Sequence, residues 1–260
     1  MTIRFGPAGL GGISEAVSNL EIYHKRGIRA CEIAFTYGVY IKRKEDATLI
    51  AKKAGELDIS LSIHAPYYIN LNSAEKAKIE ASKQRILECL KVGTWLNAKK
   101  IVFHPGYYGK MSKEGAFESI KKAILEIKEK AKQEKFTPEL APETSGKINV
   151  FGSINEIAEI VRQTGVSFCI DFAHVLARYK TYSFEEVEKA FENEKEMHIH
   201  FSGIEYGEKG EKHHKVTTSE EWQALFNGLP KDKKITIIDE SPECLKSSVN
   251  GLKIYQETKR

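Results

Sequence analysis

The stretches ISLSIHAPYYINLN (59–72) and KIVFHPG (100–106) share a form that decides the fold. Each opens with a short apolar run, and each run ends at a histidine. Between them lies a helical pattern with apolar residues at Ile79, Ile86 and Leu90. Short continuous apolar runs are typical of parallel strands covered on both faces, and parallel strands need a crossover connection. The two stretches therefore predict one strand–helix–strand unit.

The same alternation continues along the whole chain of 260 residues. We predict a helix opened by the capping pair Asn72 and Glu75, a helix through Phe117, and a helix after Ser153. The repeat predicts an α/β fold, a single-domain (β/α)8 TIM barrel over residues 1–260. A doubly wound open sheet is the alternative, although no GxGxxG follows the first strand. The eight predicted strands are Ile3–Phe5, Ala30–Phe35, Ile59–Ile63, Lys100–Phe103, Pro138–Glu143, Val166–Phe172, Glu196–Phe201 and Ile235–Ile238.

Composition narrows the class of protein. The chain is 41% hydrophobic with a net charge of +4, and it has no apolar run of about 18 residues that could span a membrane. The start MTIRFGPAGL lacks a signal-peptide pattern, so we expect a cytoplasmic protein. The four cysteines are far apart and form no CxxC, which makes a disulfide framework or a cysteine zinc site unexpected. The mild positive charge permits binding to a polyanion without requiring it.

Side chains that can bind metals gather at the predicted carboxyl ends of the strands, where barrel enzymes place their active sites. Seven of the eight histidines lie at or just after these ends. Imidazoles and carboxylates on one rim form the ligand set of Zn, Mn or Fe, and without a cation the carboxylates would repel one another. The candidates are His64, His104, Glu143, Asp171, His174, His198, His200, Glu211, His213, His214, Asp239 and Glu240.

The number of candidates indicates more than one metal. About nine ligands suit two or three ions roughly 3.5 to 5 Å apart, with Glu143 as a bridging carboxylate. Such a cluster can activate water near neutral pH and hold the oxygens of a phosphodiester. Each residue alone has a simpler explanation, such as a helix cap or a solvated turn. Six successive strand ends bearing such residues are not explained by independent accidents.

Four motifs resemble endonuclease IV, a family of trinuclear-metal abasic-site endonucleases on a TIM barrel. They are HAPYYINLN (64–72), FHPG (103–106), CIDFAH (169–174) and IIDES (237–241), and Glu211 follows His198 at a spacing of thirteen positions. The motifs occur in the same order as in the family from about residue 60 to residue 241. Before residue 60 the chain shares only the barrel pattern with the family. The resemblance implies zinc as the cofactor, two or three ions per chain, with Mn or Fe as alternatives in some sites.

The resemblance also implies a role for each site residue. Glu143 is the expected catalytic residue because it would bridge two metals. The damage-recognition loop of the family follows the third strand, so Tyr67 and Tyr68 are expected to contact DNA and Asn70 to support the loop. Three ligand groups are implied: His64, His104 and Glu143; Glu143, Asp171, His198 and Glu240; and His174, Glu211 and His213.

The chain departs from the family pattern at two of these positions. Glu211 stands where the family has Asp, and the extra methylene moves the carboxylate by about 1.5 Å, so we expect a looser third site. His200 stands where the family has Asn. Strand alternation turns His200 to the same side as His198, which makes it an extra ligand, a hydrogen-bond donor to a ligand, or a phosphate contact.

Three functions follow as expectations. The first is a monomeric DNA-repair endonuclease that binds damaged double-stranded DNA and cleaves 5′ to an abasic site. The second is a xylose-isomerase-like sugar isomerase or epimerase, which would use one metal held by Glu143, Asp171, His198 and Glu240. The third is a binder of damaged DNA that has lost turnover through the change at Glu211. The number of bound metals separates the first two.

Overall fold

The computed structural model describes residues 2–258 and contains eight parallel strands that alternate with helices. A two-stranded hairpin follows the seventh of them. The strands are β1 (Thr2–Pro7), β2 (Ala30–Ala34), β3 (Ser60–His64), β4 (Lys100–Phe103), β5 (Glu139–Pro142), β6 (Ile170–Asp171), β7 (Glu196–Phe201), β8 (Gly203–Gly207), β9 (Gly210–Lys215) and β10 (Lys234–Asp239).

The helices begin where the chain offers capping groups. Ser153 accepts a hydrogen bond from the backbone N–H of Glu156, whose side chain accepts from the N–H of Ser153 in return. Ser112 caps the helix through Phe117 in the same way. The helices are α1 (Ile13–Lys25), α2 (Lys44–Glu56), α3 (Lys76–Trp95), α4 (Lys113–Gln133), α5 (Ile154–Thr164), α6 (Phe172–Tyr179), α7 (Phe184–Ala190), α8 (Ser219–Gly228) and α9 (Cys244–Glu257).

Eight parallel strands close into a barrel, which confirms the predicted fold and excludes the open sheet. The hydrogen-bonded orders are β1-β10-β7-β6 and β2-β3-β4-β5. Parallel bridges from Ala8 to Glu32 and from Glu143 to Cys169 join the two halves. Gly6 lies at the first seam, where a Cβ atom would stand 2.0 Å from the carbonyl oxygen of Ala30. Only glycine lets these two strands approach so closely.

Most apolar side chains of the strands face the helices, and most of the buried polar ones face the barrel interior, which also holds the small cluster Val102, Ala141 and Cys169. Ile33, Ile63 and Ile199 belong to the large buried core between the strands and the helices. Their neighbours along the strands point the opposite way, into the barrel, because side chains alternate along a strand. Those inward side chains include the buried polar residues Glu32, Ser62, His64, His198 and His200. No helix within residues 2–258 is long and apolar enough to cross a membrane.

Two local predictions were wrong. The strand predicted over Val166–Phe172 is only Ile170–Asp171, because Phe172 already begins α6. The helix α3 does not begin at Asn72: its N-cap is Glu75, and the Asn72 side chain instead donates to the backbone carbonyls of Tyr107 and Tyr108. The charged stretch after β7, for which we predicted no strand, forms the antiparallel hairpin β8–β9. A Cβ atom at Gly210 would stand 2.1 Å from the carbonyl oxygen of Gly146, so the hairpin packs directly on the backbone after β5.

Candidate metal centre

The first group of candidate ligands surrounds one oxygen of Glu143. Oε2 of Glu143 lies 3.2 Å from Nε2 of His64 and 3.5 Å from Nε2 of His104. Nδ1 of His64 lies 2.8 Å from the carbonyl oxygen of Ala65, which can only accept a hydrogen bond. Nδ1 therefore carries a proton, and the Nε2 lone pair of the neutral ring points at a carboxylate. The lone pair of Nε2 and the carboxylate of Glu143 would repel each other. A cation between them, either a proton or a metal ion, removes this repulsion.

The second group lies on the other side of Glu143. Ligand atoms of Glu143, Asp171, His200 and Glu240 all lie within 4.8 Å of one another. Nδ1 of His200 is 3.1 Å from Oε1 of Glu143 and 3.2 Å from Oε1 of Glu240. Oδ1 of Asp171 caps α6 by accepting from the backbone N–H of His174, while buried Oδ2 has no hydrogen-bond partner among residues 2–258. Three carboxylates in one group, those of Glu143 and Asp171 buried and that of Glu240 partly exposed, fit a divalent cation.

The third group joins α6 to the hairpin. Nδ1 of His174 lies 2.9 Å from the carbonyl oxygen of Thr144, so this ring also donates from Nδ1. Its Nε2 faces Oε2 of Glu211 at 3.2 Å. Ligand atoms of Asp171, His174 and His214 lie within 4.8 Å of one another. His64 and His174 thus make the same pair of contacts: Nδ1 donates to a backbone carbonyl, and Nε2 faces a carboxylate.

Electrostatics in the metal-free chain reflect the closeness of these groups. Burial would raise the pKa of Glu143, but His104 and His200 hold it well below its ordinary value. Burial likewise opposes charge on His64 and His174, yet the carboxylates that face them raise both pKa values to about 9. Burial dominates at His104 and lowers its pKa to about 4. The centre attracts cations strongly, in agreement with a metal site.

Seven of the nine predicted ligands come together in these three groups. They are His64, His104, Glu143, Asp171, His174, Glu211 and Glu240. The structure does not bring His198 to the second group. His198 lies two residues earlier on β7 than His200, one layer deeper in the barrel, and its Nε2 contacts Glu32 at 3.1 Å. His200 occupies the position in the second group that we predicted for His198, so His200 is the candidate ligand there.

His213 is the second residue that the structure places elsewhere. Its side chain is 67% exposed and faces Glu205. The reason is a β-bulge: Tyr206 pairs with Glu211 and Glu205 pairs with His213, so Lys212 is an extra residue on β9. The extra residue turns His213 to the outer face. His214 points inward instead, and its Nδ1 lies 2.8 Å from Oγ of Ser202.

Sequence reasoning missed one buried acid, Glu32. It lies on β2, is fully buried, and contacts both His198 and His200. Its signal was present in the stretch ACEIA (30–34), where a charged residue interrupts an otherwise apolar strand. A buried glutamate without partners is costly, so its presence inside a strand indicates a polar barrel interior.

The open side of the centre is a cavity of about 630 Å³ at the carboxyl ends of the strands. The loop after β3 presents Tyr67 and Tyr68, whose exposed fractions are 62% and 59%. Neither tyrosine packs beneath the loop. Oδ1 of Asn70 accepts hydrogen bonds from the backbone N–H groups of Asn72 and Tyr107, which ties the loop after β3 to the loop after β4.

Sequence comparisons reveal relatives along most of the chain. The uncharacterized protein MJ0133 of Methanocaldococcus jannaschii is 38% identical over 97% of both chains. A probable endonuclease 4 of Aquifex aeolicus is 26% identical and covers 73% of this chain and 72% of its own. This chain is thus similar to proteins named endonuclease 4 at low identity.

Solved structures share the same barrel. SacUVDE superposes with a TM-score of 0.78 at 16% identity, covering 100% of this chain and 99% of its own. Endonuclease IV from Thermus thermophilus gives 0.69 at 18%, with 99% and 100% covered. D-psicose 3-epimerase from Clostridium cellulolyticum gives 0.70 at 13%, with 100% and 98% covered. The family model described as xylose isomerase-like TIM barrel matches residues 20–244, and the chain belongs to that family.

Proposed function

We propose that this protein is a metal-dependent phosphodiesterase that cleaves DNA on the 5′ side of an abasic site. One observation carries the proposal: the rim offers two ligand groups in addition to Glu143, Asp171, His200 and Glu240. His64 and His104 form one with Glu143, and His174, Glu211 and His214 form the other. The similarity to proteins named endonuclease 4 supports the same reaction.

The residues fit two or three divalent ions, with zinc favoured by the histidine and carboxylate ligands. When bound, such ions would lower the pKa of a water molecule and stabilise negative charge on a phosphodiester. Glu143 is suited to span two positions because Oε2 faces His64 and Oε1 faces His200. The backbone carbonyls of Ala65 and Thr144 fix the ring orientation of two other ligands.

The rim suits a damaged duplex better than a small free sugar. Tyr67 and Tyr107 line the cavity, and Tyr68 is exposed on the same loop as Tyr67; all three offer flat surfaces on which bases can stack. Lys147 lines the same cavity and can contact a phosphate. A nucleotide without a base leaves a gap in the stack, which an aromatic side chain can fill.

A sugar epimerase or isomerase is the second candidate, and a specific observation favours it. Glu143, Asp171, His200 and Glu240 alone suffice to hold one metal, with carboxylates close enough to move protons of a ketose. The barrel of D-psicose 3-epimerase is also similar to this one. The two reactions differ in their need for the remaining ligands.

The variant His104→Gln separates the two candidates. His104 lies outside the second group (Glu143, Asp171, His200 and Glu240), so its loss should reduce cleavage of an abasic duplex at least tenfold and lower the zinc content. An epimerase that uses only the second group should keep its turnover of ketoses. His24→Gln is the control, since His24 lies on α1 and bonds to the Leu57 carbonyl far from the rim. An abasic duplex that stays intact with fully metallated wild-type protein would refute the phosphodiesterase.

A further inference from the structure

The buried carboxylate of Glu32 collects contacts from three other side chains. Its Oε2 accepts a hydrogen bond from Oγ of Ser62 at 2.8 Å and one from Nε2 of His198 at 3.1 Å. Its Oε1 lies 3.0 Å from Nε2 of His200. All four residues are buried, and His200 is the one that also belongs to the second ligand group. Ser62 and His198 hold the carboxylate, and His200 is the contact that leads to the rim.

The two nitrogens of His200 face different partners. Nδ1 faces Glu143 and Glu240 in the second ligand group, and Nε2 faces Glu32. Ionised carboxylates only accept hydrogen bonds, so both nitrogens of the metal-free ring face acceptors. A cation at the rim would replace the proton on Nδ1, and contact with Glu32 would then favour the form that keeps its proton on Nε2. That form directs the Nδ1 lone pair toward the rim. Histidines that bind metals commonly donate their other N–H to a carboxylate, which fixes the ring and strengthens the ligand.

We propose that Glu32 is a positioning residue that holds His200 in the orientation and protonation state that bind a metal through Nδ1. This inference rests on the proposed metal-dependent function. It assigns His198 a supporting role, because His198 fixes Glu32 rather than a metal. It also explains why a fully buried acid is tolerated on β2: Oε2 accepts from two donors, Oε1 lies 3.0 Å from Nε2 of His200, and the charge lies next to a cluster that would carry positive ions.

The test compares Glu32→Gln with wild-type protein by zinc titration against a competing chelator. Gln keeps the shape of the side chain but can turn an N–H group toward His200, which favours the opposite protonated form. We expect about a 10–100-fold weaker affinity for one zinc ion and unchanged affinity for the others. Nitrogen-15 NMR of zinc-loaded protein should show the His200 proton on Nε2 in wild type and its loss or relocation in Glu32→Gln.

Two further variants keep the result interpretable. Ser62→Ala removes one donor to Glu32 but retains the carboxylate, so we expect a smaller loss of zinc affinity even if Glu32→Gln folds poorly. Cys169→Ala is the second comparison, because the buried thiol of Cys169 also contacts His200 but carries no carboxylate. Equal affinities and identical His200 signals in wild type and Glu32→Gln would overturn the inference. An equal loss in Cys169→Ala would also overturn it, by indicating a thiolate ligand. A wild-type protein that binds no zinc would contradict the proposed function instead.

Discussion

Nε2 of His174 lies 3.2 Å from Oε2 of Glu211, and this contact joins the hairpin β8–β9 to the helix after β6. The hairpin therefore contributes to the candidate metal centre although it is not one of the eight barrel strands. Its position depends on close backbone packing, because the N–H of Glu211 donates to the carbonyl oxygen of Gly146 at 3.3 Å. Docking of the hairpin and binding of a third metal should accordingly reinforce each other.

The paired variants His214→Ala and His213→Ala test which hairpin histidine belongs to the centre. The two residues are adjacent in sequence but lie on opposite faces of β9. We expect His214→Ala to lower the metal content by about one ion per chain, because a third site with three ligands would lose one of them. His213→Ala should match wild type. Elemental analysis of both purified proteins measures the difference. Loss of metal in His213→Ala but not in His214→Ala would show that His213, and not His214, is the ligand.

Variants of Glu211 test whether Glu at this position, in place of Asp, prevents cleavage of an abasic site. Because Glu211 reaches His174 in the folded chain, we expect Glu211→Asp to give no gain in abasic-site cleavage. Glu211→Gln should release the third metal and reduce cleavage, since an amide is a weaker ligand than a carboxylate. Single-turnover rates and metal content measure both variants. A wild-type protein that only binds damaged DNA, together with restored turnover in Glu211→Asp, would support a non-catalytic binder.

Removal of the metals should make stability depend on pH in a definite direction. In the metal-free chain the pKa values of His64 and His174 are about 9, above the ordinary value of 6.5. Their protonation therefore stabilises the fold fully below pH 6.5, and this stabilisation is lost as pH rises through about 9. Thermal unfolding of chelated protein should show a lower midpoint at high pH. Metal-loaded protein, in which ions replace those protons, should change less over the same range, and equal slopes would count against the metal centre.

Tyr67→Ala and Tyr68→Ala probe the rim. If either ring stacks into the gap at an abasic site, its loss should weaken binding to the damaged duplex by about 1–3 kcal/mol. Binding to an undamaged duplex of the same sequence should change little. Fluorescence anisotropy in a catalytically inactive background, such as Glu143→Gln, measures both. If neither variant changes affinity for the damaged duplex, the stacking role is wrong for this loop.

The sequence was sufficient to predict the barrel and most of the rim. Apolar runs of strand length, each ending at His64, His104 or Asp171, determine both the alternation and the edge at which side chains meet. The predicted order of strands and helices agrees with the structure for this reason. Helix starts were less certain: Asn72 has the chemistry of a cap, but backbone carbonyls on the next loop compete for its side chain.

Sequence spacing could not decide which member of each histidine pair reaches the rim. His198 and His200 share one face of β7, so alternation allows both and only depth in the barrel separates them. In the pair His213 and His214, a one-residue bulge reverses the expected face. Glu32 escaped notice because its partners lie on β3 and β7, far away in sequence. Each of these outcomes depends on contacts between distant segments.

The separation between an apolar outer layer and a polar barrel interior has a consequence for the evolution of new reactions. Residues that fill the space between strands and helices, such as Ile63 and Ile199, secure the fold without contacting the rim. Inward residues such as Glu32 and His200 contact one another and the rim, and they are not part of that core. A scaffold of this kind can change its chemistry by exchanging a few inward side chains while its folding is preserved, and related barrels can host both sugar and nucleic-acid chemistry.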